Sequence, residues 1–101
     1  MIKATLLYGH PADPEAFERY YAETHLPIAA KMQGVSKLEL TKCISAPDGS
    51  KAAYYRQADL YFNNLDELQQ TLTSPEGQAA VADLSNFATG GVTMIIGAVE
   101  N

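Results

Sequence analysis

The chain has no tryptophan, a single cysteine, and seven basic residues against twelve acidic ones. Each shortage removes a class of protein. One cysteine, Cys43, builds no intrachain disulfide framework and fits a reducing cytoplasm. A net charge of −5 repels a phosphate backbone, and no run of Lys or Arg overrides that repulsion, so nucleic acid is not an expected partner. No stretch approaches the ~20 apolar residues that a membrane span requires. Met1–Tyr8 is too short and too polar for a signal peptide. The two histidines, His10 and His25, match no metal-ligand spacing, and neither a Gly-rich phosphate loop nor a nucleophile elbow is present, so no metal or cofactor is expected. A chain of 101 residues is read as one domain, 1–101.

What is present is a regular alternation of strand and helix signals. Residues 1–8 read as a strand and Gly9-His10-Pro11-Ala12 as a turn. Asp13 caps a helix with Pro14 at its first position and Glu15 in its first turn. Phe17, Tyr20, Tyr21, Thr24 and Ile28 repeat at helical spacing, and Gly34 ends the segment. Residues 35–44 and 54–62 alternate as strands about the turn Pro47-Asp48-Gly49-Ser50. Asn64 and Glu67 have capping-box spacing and open a helix over 65–73. Ser74 and Pro75 start a second helical piece carrying Val81, Leu84 and Phe87. Gly90-Gly91 closes it, and 92–99 form the last strand. The order βαββαβ is that of an α+β, ferredoxin-like fold: a four-stranded antiparallel sheet with helices on one face.

Alternation along 54–62 assigns Ala58, Leu60 and Phe62 to the helix-covered face and Tyr55, Gln57, Asp59 and Tyr61 to the other. An uncovered face with two tyrosines beside an apolar last strand calls for a partner. Two such sheets packed face to face give a homodimer, a dimeric α/β barrel with polar and aromatic residues inside.

The most informative run is Tyr20-Tyr21-Ala22-Glu23-Thr24-His25-Leu26-Pro27. Tyr21 and His25 are four apart and share one helix face. Pro27 lacks an N–H and crowds the carbonyl of Glu23, so the helix is expected to kink or stop near His25 and leave the imidazole beside an electronegative helix end. Two readings of His25 follow: a general acid or base with Tyr21 beneath it, or a brace bonded to free helix carbonyls. Asp59 is unusual in mid-strand. It is expected either to pair with His25 or a ligand hydroxyl, or to be tied to Lys37, Lys42 or a chain terminus. Tyr55 and Tyr61 are expected as pocket wall or dimer contact.

The chain resembles the EthD family of the dimeric α/β-barrel superfamily along essentially its whole length. The likeness rests on Phe17-x-x-Tyr20-Tyr21-x-x-x-His25-x-Pro27, on Ala58-Asp59-Leu60-Tyr61-Phe62, and on Ser74-Pro75-Glu76-Gly77 followed by Ala82-Asp83-Leu84-Ser85-Asn86-Phe87. It implies a small dimeric barrel with a cavity between sheet and helices, and it links the chain to ethyl tert-butyl ether degradation. It also implies that His10, in the loop after the first strand, lies at the cavity mouth. Asp83 matches the family pattern and is read as a helix-end or interface anchor, since no basic residue accompanies it in sequence. Relatives in the superfamily include isomerases, polyketide cyclases, cofactor-free monooxygenases and haem enzymes, so the fold implies a pocket and not a reaction. The leading expectation is cofactor-free proton transfer on a small apolar oxygenated molecule, with His25, Tyr21 and Asp59 as catalytic candidates and Tyr55, Tyr61 and His10 as ligand contacts. A non-catalytic accessory protein that binds such a molecule ranks second, and haem chemistry through His25 third.

Overall fold

The computed structural model describes residues 1–100. The strands are β1 (Ile2–Tyr8), β2 (Lys37–Lys42), β3 (Arg56–Phe62) and β4 (Val92–Ala98), and they form one antiparallel sheet in the order β2-β3-β1-β4. The central strands pair from Ile2 opposite Phe62 to Tyr8 opposite Arg56. β1 and β2 are therefore joined by a crossover that passes above β3, the split βαβ arrangement.

That crossover is helical for its own local reasons. Asp13 accepts a hydrogen bond from the Ala16 N–H at 3.2 Å, and Pro14 opens α1 (Pro14–Tyr20). Of the kink or stop expected near His25, the structure shows an irregularity and not an end. Tyr21–His25 form one wider π turn, and the chain runs on as α2 (Leu26–Ala29). The Leu26 N–H donates to the Tyr21 carbonyl, a step of five residues. Pro27 has no N–H to give, and a wider turn just before it is one of the ways a helix bends without ending. His25 is consequently buried inside a continuous helical segment and not placed at an open helix end.

In the second half, Asn64 caps α3 (Leu65–Thr73) by accepting from the Glu67 N–H at 2.9 Å. Ser74 ends α3 and caps α4 (Pro75–Asp83) by accepting from the Gly77 N–H at 3.1 Å. Gly77 lies against α3 so closely that an added Cβ would meet the Thr71 carbonyl oxygen at 2.0 Å. This contact fixes how α4 leaves α3, and so where Asp83 at its far end arrives.

All helices cover the face formed by Ala4, Leu6, Tyr8, Ala58, Leu60 and Phe62, which with Phe17, Tyr21, Leu68 and Phe87 make the core. Edge strand β2 is exposed along its length and ends at Lys42, short of the 35–44 expected, so Ile44 lies beyond it and is almost fully exposed.

Candidate functional site

The helix layer does not fill the space above the sheet. A cavity of about 240 Å³ remains between α1–α2, α4 and the sheet, floored by Leu6, Ala58 and Leu60 and walled largely by aliphatic side chains. Three lining residues carry nitrogen or oxygen in their side chains: Tyr8, Tyr21 and His25. An apolar cavity with a few convergent polar groups is the usual form of a small-molecule site.

His25 is 5% exposed and held on three sides. Its ring stacks on Tyr21, four residues earlier, at 5.8 Å between centroids, and lies 4.7 Å from the Phe87 ring. Its Nδ1 bonds to Asp83 Oδ2 at 3.0 Å. Asp83 also accepts from the Tyr20 hydroxyl at 2.6 Å and from Asn86 Nδ2 at 3.0 Å. Burial by itself would raise the carboxyl pKa of Asp83, but the hydrogen bonds from Tyr20, Asn86 and His25 outweigh it and lower the pKa below the ordinary value. A carboxylate that is ionised and accepts at His25 Nδ1 fixes the Nδ1–H tautomer of the neutral ring. Nε2 then carries the lone pair, and it has no hydrogen-bond partner among the described residues.

The hydroxyls of Tyr8 and Tyr21 are buried out of reach of water; neither has a partner of full hydrogen-bond geometry among the described residues, and each lies close enough to the other for a hydrogen bond between them to act on its ionisation. Burial raises the pKa of both phenols, so both stay protonated donors near neutrality. The Arg56 guanidinium sits over the Tyr21 ring, 4.9 Å from its centroid, and opposes that rise. Arg56 is itself held by Glu18 through two hydrogen bonds, at 2.8 and 3.0 Å.

The residues expected at the site divide into two groups. His25 and Tyr21 line the cavity together. Asp59 does not join them. Its side chain lies on the opposite face of the sheet, where it accepts from Thr5 Oγ1 at 2.5 Å and Gln57 Nε2 at 2.9 Å, with Lys3 Nζ at 3.7 Å. The expected pairing of Asp59 with His25 is therefore wrong, and its cation is Lys3, not Lys37 or Lys42. Tyr61 shares that face, where a hydrogen bond to Glu39 pushes its pKa up to about 12. Tyr55 was expected beside Tyr61 but lies on the helix side, edge-on to Phe17 at 5.1 Å and donating to Glu18 at 3.1 Å. The β1–β3 ladder ends at the pair Tyr8–Arg56, so the pleat no longer dictates which way Tyr55 faces. His10 packs edge-on to Tyr55 and donates from Nε2 to the Ala52 carbonyl at 2.7 Å, outside the cavity lining.

Two site residues escaped the sequence reading. Asp83, expected as a helix-end or interface anchor, does stand at the end of α4, and what it anchors there is His25, together with Tyr20 and Asn86. The signal was available: Ala80, Asp83, Leu84 and Phe87 fall on one helical stripe, and an acid in an apolar stripe demands a buried partner. Tyr8 was legible too, since it follows Ala4 and Leu6 on the buried side of β1.

An α+β subunit with a four-stranded antiparallel sheet, helices on one face and an apolar pocket between the layers belongs to the ferredoxin-like class. Within that class the chain belongs to the EthD family, whose EthD domain matches residues 9–91. It is 44% identical over 95 residues to an uncharacterised 11.0 kDa protein from the thcB–thcC intergenic region of Rhodococcus erythropolis, covering 94% of this chain and 91% of that one. An EthD family protein from Bacillus halodurans C-125 superposes with a TM-score of 0.93 at 31% identity, covering 99% of each chain. Two more distant likenesses concern the fold alone. One is a dimeric ferredoxin-like protein of unknown function from Thermobifida fusca, at 15% identity and TM-score 0.70 over 97% of this chain and 90% of that one. The other is SnoaB, a cofactor-independent oxygenase from Streptomyces nogalater, at 15% identity and TM-score 0.64 over 99% and 92%.

Proposed function

We propose that this protein catalyses cofactor-free proton transfer on a compact, mainly apolar, oxygenated molecule held between the sheet and the helices. The observation that carries the reading is the Asp83–His25 pair at 3.0 Å, with the imidazole in the wall of a largely aliphatic cavity. Asp83 orients the ring and stabilises the imidazolium that forms when Nε2 takes a proton. The same proton returned to another atom of the ligand gives an isomerisation or a ring closure, with no change of oxidation state. A deprotonated, electron-rich ligand is also the form that molecular oxygen attacks, and the fold likeness to SnoaB makes such an oxidation the second outcome to assay.

The assembly that goes with this reading is a cytoplasmic homodimer closed through the open sheet faces. On that face Ile95 is half exposed beside the Lys3, Thr5, Gln57 and Asp59 network. Asp59 and Tyr61 then belong to the barrel interior and the contact between copies, apart from the chemistry at His25.

The test is solvent deuterium uptake into small cyclic ketones and lactones, followed by NMR, for the wild type and His25→Gln. Branched ethers and tertiary alcohols enter the same panel as binding probes, because the family resemblance points to ether degradation. Uptake that depends on His25 supports catalysis. Binding with uptake no faster than in buffer would reduce the protein to the accessory, ligand-holding role.

A further inference from the structure

His25 is almost wholly enclosed, Asp83 covers its Nδ1, and its Nε2 has no partner. Among the described residues, the buried side-chain polar atoms without a partner are the hydroxyls of Tyr8 and Tyr21. Those two have essentially no accessible surface and lie within reach of each other. Nε2 is not one of them: it keeps accessible surface, and the space it opens to is the cavity that His25 lines. Tyr8 and Tyr21 therefore give that cavity their rings. Among the described residues, Nε2 is the one side-chain nitrogen or oxygen that a ligand there can reach. Its character is fixed as well. With Nδ1–H donated to the Asp83 carboxylate, the neutral ring offers a lone pair at Nε2 and no proton.

We infer that the site takes a neutral hydroxy compound, with one hydroxyl on an unsaturated carbon of a compact apolar ring, seated by donating its O–H to His25 Nε2. The inference rests on the proton-transfer reading for the role of His25, and deepens it by naming the substrate class. An acceptor left unpaired against an apolar ligand is costly, so the better ligand brings a donor; a ketone, an ether or a hydrocarbon brings none. No other lining side chain satisfies a second polar group, so one hydroxyl is the limit. The lining holds no Asp, Glu, Lys or Arg, so a charged ligand meets no counter-charge in it. Size sets the rest. An apolar cavity of about 150 Å³ admits benzene, and one of about 240 Å³ gives room for a second, fused ring. A hydroxyl on an unsaturated carbon is the acidic kind that an imidazole deprotonates, because its charge spreads from oxygen onto carbon. The O–H bond breaks, the Nε2–H bond forms, and the electron pair stays with the ligand as an enolate. The imidazolium, held by Asp83, returns the proton to carbon, which forms a C–H bond and a ketone without oxidant or reductant. Read backwards, the same step removes an α-hydrogen from the ketone.

The experiment compares 5-indanol with 5-methylindane, in which a methyl group of similar size replaces the hydroxyl. Affinities are measured by calorimetry or ligand-observed NMR at pH 8 for the wild type and His25→Phe. 2-Indanol, whose hydroxyl sits on a saturated carbon, is the third probe. The wild type should prefer 5-indanol over 5-methylindane by about tenfold or more, as one buried hydrogen bond requires, and should bind 2-indanol less tightly than 5-indanol. The 15N shift of Nε2 should move towards its protonated position with 5-indanol and hold with 5-methylindane. His25→Phe should lose the preference while still binding 5-methylindane. A wild type that binds 5-indanol and 5-methylindane equally, or neither at millimolar concentration, would overturn the inference. So would a preference that survives in His25→Phe, and the wild-type affinities and nitrogen shift decide the matter even where that variant does not fold. Deuterium uptake separates this inference from the reading it rests on. Preference for 5-indanol without uptake keeps the ligand class and removes catalysis. Uptake that needs His25, in a protein indifferent to the hydroxyl, keeps catalysis and removes the ligand class.

Discussion

Replacing Asp83 by Asn changes one oxygen to an amide nitrogen at a side chain that is 7% exposed and accepts three hydrogen bonds. The isosteric amide offers only one acceptor oxygen, so its NH2 group must point at a donor, either the Tyr20 hydroxyl, Asn86 or His25. Loss of charge assistance on these bonds, together with the loss of one acceptor oxygen, amounts to about 2–4 kcal/mol. For a domain of this size each kcal/mol moves the melting temperature by about 4–8 °C, so a fall of roughly 10–20 °C is expected. The chemical consequence is separate. An amide N–H aimed at His25 Nδ1 makes that nitrogen the acceptor and moves the ring proton to Nε2, which removes the base from the cavity. Thermal melts measure the first effect, and imidazole 15N shifts in the neutral ring measure the second. Asp83→Asn melting within 2 °C of the wild type, with the Nδ1–H tautomer retained, would refute the assignment of Asp83 as the group that holds His25.

Acid should destabilise the fold through two carboxylates. Hydrogen bonds from Arg56, opposed by burial and helped by Tyr55, lower the Glu18 pKa from the ordinary 4.5 to about 2, and Asp83 is likewise lowered. Their folded pKa values lie below the unfolded ones, so the stability they add is complete above about pH 4.5 and is lost as pH falls towards 2. Melts in that range should drop steeply for the wild type and less steeply for Glu18→Gln, which has already lost about 1–3 kcal/mol at pH 7; parallel curves would show that Glu18 does not carry this dependence. Ile95→Lys places a charge in the middle of the open sheet face and should convert a dimer into monomers by light scattering with the subunit still folded. A wild type that is monomeric at micromolar concentration would remove the barrel altogether.

Most of the fold was legible because its signals are local. The caps Asp13, Asn64 and Ser74 bond as their spacing predicts, and the alternation of Ala58, Leu60 and Phe62 marks the buried side of β3. What was left open or failed was long-range or beyond a ladder's end. Of the two outcomes that Pro27 implies, a kink or a stop, the irregular π turn over Tyr21–His25 is the first, and the packing of Tyr21 and His25 against Phe87 holds the helix together through it. Tyr55 followed strand alternation on paper, while its contacts with Phe17 and Glu18 decide its direction in the fold. Half of the site followed the same rule. The helical pair Tyr21–His25 is four residues apart and was found. Asp83 is 58 residues from His25, and nothing in local spacing joins them. Asp59, an acid in mid-strand on the uncovered face of β3, is the more conspicuous one in the sequence.

On the proton-transfer reading, chemistry occurs between the sheet and the helices, at His25, and not on the open sheet face at Asp59. A crystal structure of the protein soaked with 2-indanone tests this most directly. The ring is expected among Leu6, Ala58 and Leu60, with its α-carbon facing His25 Nε2. The probe lying instead on the open face beside Asp59 and Tyr61, with the cavity at His25 empty, would contradict it.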